Sequence, residues 1–293
     1  MRRKVGVVIF VLAGASACSL IVSTSGLSGG PDPDDASTES SFDGGAGDAS
    51  REAGDAGADA NPNACPGTHG PTMVRIGVDG GPSFCIDSTE VTNAQYAEFL
   101  ASGPATSGAL VPTACQLQTS FMPSTGWPAP AAKAMHPVVY VDWCDAYAFC
   151  VWAGKRLCGK IAGGPDAPAN HDNAATNQQY FACSRAATSL YPYGDSYDPN
   201  ACNGTDHGVG DTVPVGSLST CQGAFPGVFD LVGNVCEWQD ACDSDVPDAV
   251  CLDGPGSYLF PPDAGASGTR CSYGDMTHRN NHVDNIGFRC CGP

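Results

Sequence analysis

The stretch 84–100, FCIDSTEVTNAQYAEFL, changes from a strand-like to a helix-like pattern of apolar positions. Its apolar start predicts a short strand, and Thr92 or Asn93 follows as a helix N-cap. Apolar residues then recur at the three- and four-residue spacing that places side chains on one helical face. The pattern predicts a strand, a polar turn and an amphipathic helix. The apolar residues of that helical face are Tyr96, Phe99 and Leu100.

A second stretch, 136–157 with the sequence HPVVYVDWCDAYAFCVWAGKRL, has the same order. The β-branched run from Val138 to Val141 predicts a strand, and Asp142 follows as a helix N-cap. Gly154 predicts the end of this helix, because glycine readily adopts the left-handed backbone that commonly closes a helix. The apolar residues at helical spacing between them are Ala146, Phe149, Cys150 and Ala153.

The segment 229–238, FDLVGNVCEW, follows neither period. Gly233 and Asn234 predict a tight turn, and Glu237 places a carboxylate three residues after the Asn234 amide. Two such oxygens in a tight loop can hold a hard cation. They can also satisfy the backbone of the loop by hydrogen bonds, and local chemistry alone favours this second interpretation.

The first 18 residues have the order of an export signal. Three basic residues precede an apolar run too short to span a bilayer permanently, and small residues follow. Cys18 comes directly after Ala-Ser-Ala, a pattern that resembles a bacterial lipobox, although Ala15 stands where leucine is usual. We predict an exported lipoprotein with Cys18 as its lipidated first residue; plain secretion is the alternative. No later segment has the length and apolarity of a membrane span, so we expect membrane contact only through this anchor.

Residues 19–63 have a different composition, rich in Gly, Asp, Ala and Ser. Between Pro31 and Asn63 nine acidic residues stand against Arg51 alone, and Phe42 is the one aromatic residue. So little apolar surface cannot offset the conformational entropy lost on ordering. We predict a disordered acidic linker that spaces the folded part from the membrane. An interaction tail is the alternative, without a motif to support it.

From residue 64 to 293 the composition becomes globular, over a length sufficient for one domain with a sizeable core. Gly and Pro remain frequent, helical stretches are few and short, and no internal repeat is visible, which predicts an irregular, loop-rich α+β domain. The formal net charge of the chain is −18, and the acidic excess persists in this region without a basic cluster. Such a surface repels phosphate backbones, which excludes nucleic acid as a partner.

Sixteen cysteines are a high number for this length. In an exported chain they predict a disulfide-rich fold, and their spacing lacks the paired Cys-x2-Cys knuckles of a zinc site. Without Cys18 an odd number remains. At least one cysteine of the domain is therefore expected to lack an intramolecular partner.

Six short motifs occur in a fixed order along the folded region. They are EVTNAQY from Glu90, PVVYVDW with AFCVWAGKRL from Pro137, YPYGD from Tyr191, PVGS from Pro214, FDLVGNVCEW from Phe229 and IGFRC from Ile286. Together they resemble the formylglycine-generating-enzyme family, also called the sulfatase-modifying-factor family. The resemblance covers roughly residues 70–292 and implies a variant of the C-type lectin fold with long loops and bound calcium. Active members are oxygen-dependent oxidases that convert a substrate cysteine to formylglycine.

The resemblance does not extend to the catalytic thiols. Active members hold copper(I) between two cysteines spaced Cys-x4-Cys, because a soft ion needs soft sulfur ligands. The segment before IGFRC contains only Cys271, which corresponds to a structural disulfide cysteine of the family. Counting back from Cys290, the two catalytic positions fall on Ala266 and Pro261. We therefore expect no copper and no catalytic residue, and we predict that the oxidase activity is absent.

The resemblance also implies two disulfides. Cys150 would pair with Cys290, and Cys183 would pair with Cys271. Each bridge closes a loop on the order of 100 residues, for which the chain-entropy model gives about 4 to 5 kcal/mol. The other eleven cysteines of the domain cannot be paired from the sequence.

Calcium, as a structural ion, is implied at two places. In the family the GNVxEW loop is a calcium site, which carries to Asn234, Val235 and Glu237 as ligands. Oxygen ligands on a glycine-turned loop suit calcium, so the resemblance favours an ion where local chemistry alone did not. The second place corresponds to Asn203 and Gly204, where the partner aspartate is displaced to Asp206 or Asp211.

Two further groups of residues have a chemical and a structural interpretation. His278 and His282 have the spacing of a helical metal pair, but the two asparagines between them favour an exposed turn. Asp142, Asp145 and Asp195 could supply a carboxylate pair, whereas helix-cap and turn positions explain them more simply.

The sequence thus predicts an exported, lipid-anchored protein whose domain binds an unidentified protein, peptide or glycan at the cell envelope without catalysis. The alternative is a sulfatase-modifying oxidase, or another enzyme of the same superfamily with relocated chemistry. A purely structural envelope protein is a third possibility, and it predicts no ligand-sized cleft.

Overall fold

The chain folds around two four-stranded sheets, which a computed structural model describes for residues 64–108, 111–259 and 265–293. The predicted export signal, Cys18 and the predicted linker 19–63 lie outside the described residues. The helices are α1 Asn93–Ala101, α2 Trp143–Trp152, α3 Gln178–Ser184 and α4 Gly265–Gly268. The strands are β1 Met73–Gly77, β2 Ser83–Asp87, β3 Arg156–Leu157, β4 Cys236–Cys242, β5 Val250–Gly254, β6 Asp275–His278, β7 Ile286–Gly287 and β8 Cys290–Gly292.

The first sheet has the strand order β1-β2-β8-β3, and all of its pairs are antiparallel. Phe84, Cys85 and Ile86 of β2 are fully buried. Because successive strand side chains point to opposite faces, both faces of β2 are covered by the rest of the domain. The strand predicted at the start of the 84–100 stretch is thus present, in the interior of a sheet.

The second sheet has the order β6-β5-β4-β7 and contains the end of the 229–238 segment. β4 pairs antiparallel with β5 and parallel with β7. Trp238 of β4 is 1% exposed, and its indole N–H donates to the Val141 carbonyl at 3.1 Å. Only Phe288 and Arg289 separate β7 of this sheet from β8 of the first. The IGFRC motif therefore connects the two sheets.

Both predicted helices begin at predicted caps. Thr92 Oγ1 accepts the Gln95 N–H at 3.2 Å, and Asp142 Oδ1 accepts the Asp145 N–H at 2.8 Å. In each helix the side chain at the third position accepts the N–H of the cap residue in return, so two backbone donors are satisfied reciprocally. Gly154, just beyond α2, has a φ of +74°, as predicted for a glycine that ends a helix.

Aromatic side chains join the two helices to the IGFRC motif. The rings of Tyr96 and Phe149 stack with centroids 5.7 Å apart, and Phe288 lies 6.3 Å and 5.3 Å from them. Such pairs stabilise a core by about 0.5 to 1.5 kcal/mol beyond the burial of their area. The Tyr96 hydroxyl donates to the Phe121 carbonyl at 2.6 Å, so its polar end is satisfied inside the core.

The run from Val138 to Val141 does not form the predicted strand. Its backbone bonds go to different segments: the Val138 N–H donates to the Val91 carbonyl and the Tyr140 N–H to the Val283 carbonyl, both at 2.9 Å. Tyr140 has a φ of +60°, which interrupts an extended backbone. The tertiary partners of this run therefore override its β-propensity.

Seven disulfides join the domain cysteines. Both bridges implied by the family resemblance are present, Cys150–Cys290 and Cys183–Cys271, and they span 140 and 88 residues. Cys236 is the one free cysteine in the described part of the chain, which accounts for the odd number. Within the same residues, no helix has both the length and the apolarity needed to cross a bilayer. The other bridges are Cys65–Cys85, Cys115–Cys144, Cys158–Cys291, Cys202–Cys221 and Cys242–Cys251.

Candidate functional site

The turn before β4 packs closely against the segment that begins at Asn203. Gly233 and Asn234 have positive φ angles of +77° and +56°. A Cβ atom at position 233 would meet the backbone of Asn203 at 3.0 Å, so glycine is required for both the angle and the approach. The tight turn predicted from the sequence is therefore also a contact point between two loops.

The side chains of Asn203 and Asn234 are buried and contact each other. Asn234 Oδ1 accepts the Val213 N–H at 2.9 Å and the Asn203 Nδ2 donor at 3.3 Å. Asn203 Oδ1 is buried and has no hydrogen-bond partner among the described residues. A buried carbonyl oxygen without a partner fits a cation ligand, so Asn203 could hold calcium together with the neighbouring Gly204 backbone.

The two aspartates considered as partners for that calcium site have other contacts. The Asp206 carboxylate accepts the Tyr197 hydroxyl at 2.7 Å. The Asp211 carboxylate pairs with Lys133 at 2.6 Å, and only its backbone carbonyl accepts from Asn203, at 2.9 Å. Both carboxylates therefore already have partners of their own, and calcium at Asn203 stays a prediction.

Glu237 does not have the surroundings of a calcium ligand. Both of its oxygens accept the Arg289 Nε–H, at 2.9 and 2.7 Å, and Oε1 also accepts from Nη2 at 2.6 Å. Gln179 donates a further bond to Oε2. Because the guanidinium already neutralises this carboxylate, Glu237 does not fit the ligand set predicted with Asn234 and Val235. Calcium on the Asn234 and Val235 oxygens stays a prediction.

Arg289 is a fully buried cation at the junction of the two sheets. Besides Glu237, its guanidinium donates to three backbone carbonyls at 2.9 to 3.2 Å. Burial alone would lower the pKa of Arg289, but the carboxylates of Glu237, Glu90 and Asp230 raise it above its ordinary value. Glu90 belongs to the EVTNAQY motif and Arg289 to IGFRC. Asp230 and Glu237 both belong to FDLVGNVCEW. These motifs therefore mark the charged centre of the fold.

Glu90 is the least satisfied member of this charged centre. It is fully buried, and neither carboxylate oxygen has a hydrogen-bond partner among the described residues. Burial and the nearby Asp230 raise the pKa of Glu90 well above its ordinary value. Burial also raises the pKa of Asp230 to about 6. One guanidinium cannot neutralise three carboxylates, so the excess negative charge and burial both favour the protonated form of Glu90.

A cleft of about 220 Å³ opens beside the start of α1. Trp127 forms part of its wall, with its ring edge-on to the buried Tyr96 and the centroids 5.9 Å apart. This volume lies below the roughly 300 to 1,000 Å³ of a drug-sized pocket and suits a peptide side chain or a single sugar. None of its described lining residues is a cysteine or a histidine. The polar and aromatic lining includes Asn93, Lys133, Tyr140, Asp211 and Tyr258.

The positions that correspond to the catalytic thiols of the family contain no sulfur. Ala266 lies in α4, where its carbonyl accepts a tyrosine hydroxyl, and Pro261 lies outside the described residues. Cys271 is bonded to Cys183. Cys236 is 3% exposed, and burial raises the pKa of its thiol well above the ordinary value. Since the thiolate is the reactive form, Cys236 is a poor nucleophile.

The two histidines with metal-pair spacing have different partners in the structure. His278 is exposed and contacts Asp248 of the loop between β4 and β5, whereas His282 lies beside Asp142 and Asp145. Asp195 is not part of this group and accepts the N–H of a neighbouring leucine. The group of two aspartates and one histidine was missed in the sequence, because its members are distant along the chain and share no motif.

The two joined sheets, the charged centre and the disulfides define a C-type-lectin-like fold of the formylglycine-generating-enzyme type. Residues 61–292 match the sulfatase-modifying factor enzyme 1-like domain. The chain belongs to this family.

Similar proteins include one named as an enzyme and one named as inactive. The chain is 26% identical over 246 residues to the inactive C-alpha-formylglycine-generating enzyme 2 of Mus musculus, covering 71% of this chain and 74% of the relative. It is 26% identical over 187 residues to the formylglycine-generating enzyme of the same organism, covering 54% of this chain and 44% of that relative. The crystal structure of CarF has a TM-score of 0.50 at 19% identity, covering 78% of this chain and 96% of CarF, and shows the fold alone.

Proposed function

We propose that this chain is a non-catalytic member of its family that binds a protein, peptide or glycan at the cell envelope. One observation carries the proposal: the family fold is kept, while the thiol pair of the oxidases is missing. Between Cys251 and Cys290 the sequence contains only Cys271, and that sulfur is bonded to Cys183. A relative named as inactive matches most of this chain, which supports the same conclusion.

The cleft beside α1 is the surface that we propose for the ligand. Trp127 and Tyr140 offer flat apolar faces, and the Asn93 amide offers its oxygen as an acceptor, because its nitrogen already donates to backbone carbonyls. This combination suits a peptide or a sugar, which present apolar faces next to hydrogen-bonding groups. Lys133 and Asp211, paired at 2.6 Å, add one charge of each sign to the lining.

We further propose that the domain acts outside the cytoplasm. In this proposal the lipid on Cys18 holds the protein at a membrane, and the acidic segment 19–63 spaces the domain from it. Seven disulfides support an oxidising compartment, because cytosolic reductants would keep these thiols reduced.

The test measures chemistry and binding on the full chain with its disulfides formed. With copper(I), oxygen and a cysteine-containing peptide, mass spectrometry should find the peptide cysteine unchanged. A ligand selected from a panel of peptides and glycans should bind Tyr140→Ala at least about tenfold more weakly, because an aromatic contact in a binding site is worth more than about 1 kcal/mol.

Tyr193→Ala is the matched control, because Tyr193 is also partly buried but lines a different depression. This variant should bind the ligand as the wild type does. Formylglycine in the peptide would overturn the non-catalytic assignment. Equal loss of binding in both tyrosine variants would place the ligand outside the cleft.

A further inference from the structure

Two buried carboxylates and an imidazole meet at the N-terminus of α2. Asp142 and Asp145 are 2% and 0% exposed, and His282 reaches them from the segment between β6 and β7. His282 Nε2 lies 3.7 Å from Asp142 Oδ2 and 3.8 Å from Asp145 Oδ2. One ligand atom from each of the three side chains lies within 4.8 Å of the other two. The group therefore combines nitrogen and oxygen donors around one point.

The distances from His282 Nε2 to the two aspartate oxygens are longer than a hydrogen bond and close to the distances between ligand atoms that share an ion. A direct N–H···O bond would measure about 2.7 to 3.2 Å. Ligand atoms about 2.1 Å from a tetrahedral ion lie roughly 3.4 Å apart, a few tenths of an ångström less than the two distances from His282 Nε2 to the aspartates. His282 makes no hydrogen bond within the described residues, so its ring nitrogens are available.

The two carboxylates lack a strong cationic partner. Their oxygens accept bonds within the capping box, and Asp145 Oδ1 also accepts from Gln118 Nε2 at 2.6 Å. Each carboxylate oxygen has two lone pairs, so these bonds leave acceptor capacity for an ion. Within the described part of the chain, no Lys or Arg lies within ion-pair distance of either group. A buried carboxylate without such a partner either takes up a proton or coordinates a metal, and here an imidazole stands beside the two carboxylates as a further ligand.

The segments that supply the donors are tied together. The Cys115–Cys144 disulfide holds the Gln118 loop against the first turn of α2. The backbone N–H of Trp143 donates to the Arg279 carbonyl at 3.1 Å, which connects the first turn of α2 to the segment that contains His282. The three donors are thus held in place before any ion binds, which reduces the entropy that binding costs.

We propose that Asp142, Asp145 and His282 bind one divalent transition-metal cation of the kind represented by Zn²⁺. An imidazole with carboxylates suits such borderline cations, whereas calcium takes oxygen ligands and copper(I) takes sulfur. The His282 side chain is 28% exposed, so an ion can enter from solvent and retain a water ligand. The site shares no residue with the lining of the cleft or with the positions that correspond to calcium and copper ligands in the family.

Isothermal titration with ZnCl₂ on the chelator-treated full chain tests the proposal. We expect one saturable equivalent for the wild type. His282→Ala should weaken its binding by at least about tenfold, as loss of a supporting group alone costs 10- to 100-fold. Asp142→Asn should weaken it similarly while keeping the helix cap, because asparagine caps as well as aspartate. His278→Ala removes an exposed imidazole four residues away and should bind as the wild type does.

Thermal unfolding separates binding from folding. In chelator all four proteins should unfold at similar temperatures, and zinc should raise the midpoint only for the wild type and His278→Ala. No saturable zinc binding to the wild type would overturn the proposal. Equal binding by His278→Ala and His282→Ala would overturn it as well.

Discussion

Two groups of buried carboxylates in this domain differ in where their counter-charge comes from. At the junction of the sheets, Glu237 is held by the guanidinium of Arg289, and Glu90 and Asp230 lie close by. At the start of α2, His282 is the one cationic side chain within ion-pair distance of Asp142 and Asp145 among the described residues. The first group has a guanidinium built into the fold, whereas the second has only an imidazole that is 28% exposed to solvent.

This difference separates a structural role from a binding role. A buried ion pair is costly to desolvate, and breaking it by removing one partner is strongly destabilising. The Arg289 group therefore acts as a connection between motifs that are distant in sequence. The carboxylates at α2 already serve as helix caps, and they combine spare lone pairs with a neighbouring imidazole, which the Arg289 group lacks.

The largest effect is expected from removing the internal cation. Arg289→Met keeps most of the side-chain volume, and it should lower the free energy of unfolding by about 3 to 5 kcal/mol, because Glu237 stays buried without its partner. Urea denaturation at pH 7 measures the change. Arg270→Met, at an exposed position, is the control and should change little. A wild-type midpoint for Arg289→Met would contradict the role given to the charged centre.

A stabilising effect is expected from neutralising the carboxylate without a partner. Glu90→Gln should raise the free energy of unfolding at pH 7 by about 1 to 3 kcal/mol, because it removes a buried carboxyl group that has no hydrogen bonds and that folding must protonate at this pH. Burial raises the pKa of Glu90 in the folded protein, so the folded state binds the proton more tightly than the unfolded state. Its contribution to stability is therefore fully present below the unfolded pKa and is lost as pH rises through the folded pKa.

Urea denaturation from pH 4 to 8 checks that sign. The stability of the wild type should fall with rising pH relative to that of Glu90→Gln. Glu98→Gln, at an exposed position of α1, should follow the wild type. Parallel curves for the wild type and Glu90→Gln would show that Glu90 is not the group that binds the proton.

The smallest effect is expected at the exposed ion pair of the cleft. Lys133 and Asp211 are 2.6 Å apart, but their side chains are 32% and 58% exposed. Water and salt screen such a pair, so Lys133→Met should change the free energy of unfolding by no more than about 1 kcal/mol. Asp211→Asn should have a similarly small effect in the same urea titration. A loss of stability as large as that of Arg289→Met would show that solvent exposure does not distinguish the Lys133–Asp211 pair from the buried Arg289–Glu237 pair.

Local rules predicted the elements whose stabilising contacts are close in sequence. The caps Thr92 and Asp142 and the turn at Gly233 depend on bonds or angles within a few residues, and all three are present. The strand predicted at Val138 to Val141 is absent, because its backbone partners come from segments on both sides of it in the sequence. Local pattern does not specify which distant segment supplies a hydrogen bond.

The sequence by itself determined the family, two of the seven disulfides and the loss of the thiol pair, because these depend on residue identity at positions that correspond to the family. Only the tertiary structure decided that Glu237 belongs to Arg289 and that His282 joins Asp142 and Asp145. Glu237 and Arg289 are 52 residues apart in the sequence. His282 lies outside the stretch 136–157 that contains Asp142 and Asp145. Charge pairing in a buried core depends on distance in space, which is established only when the two sheets and the helices have packed.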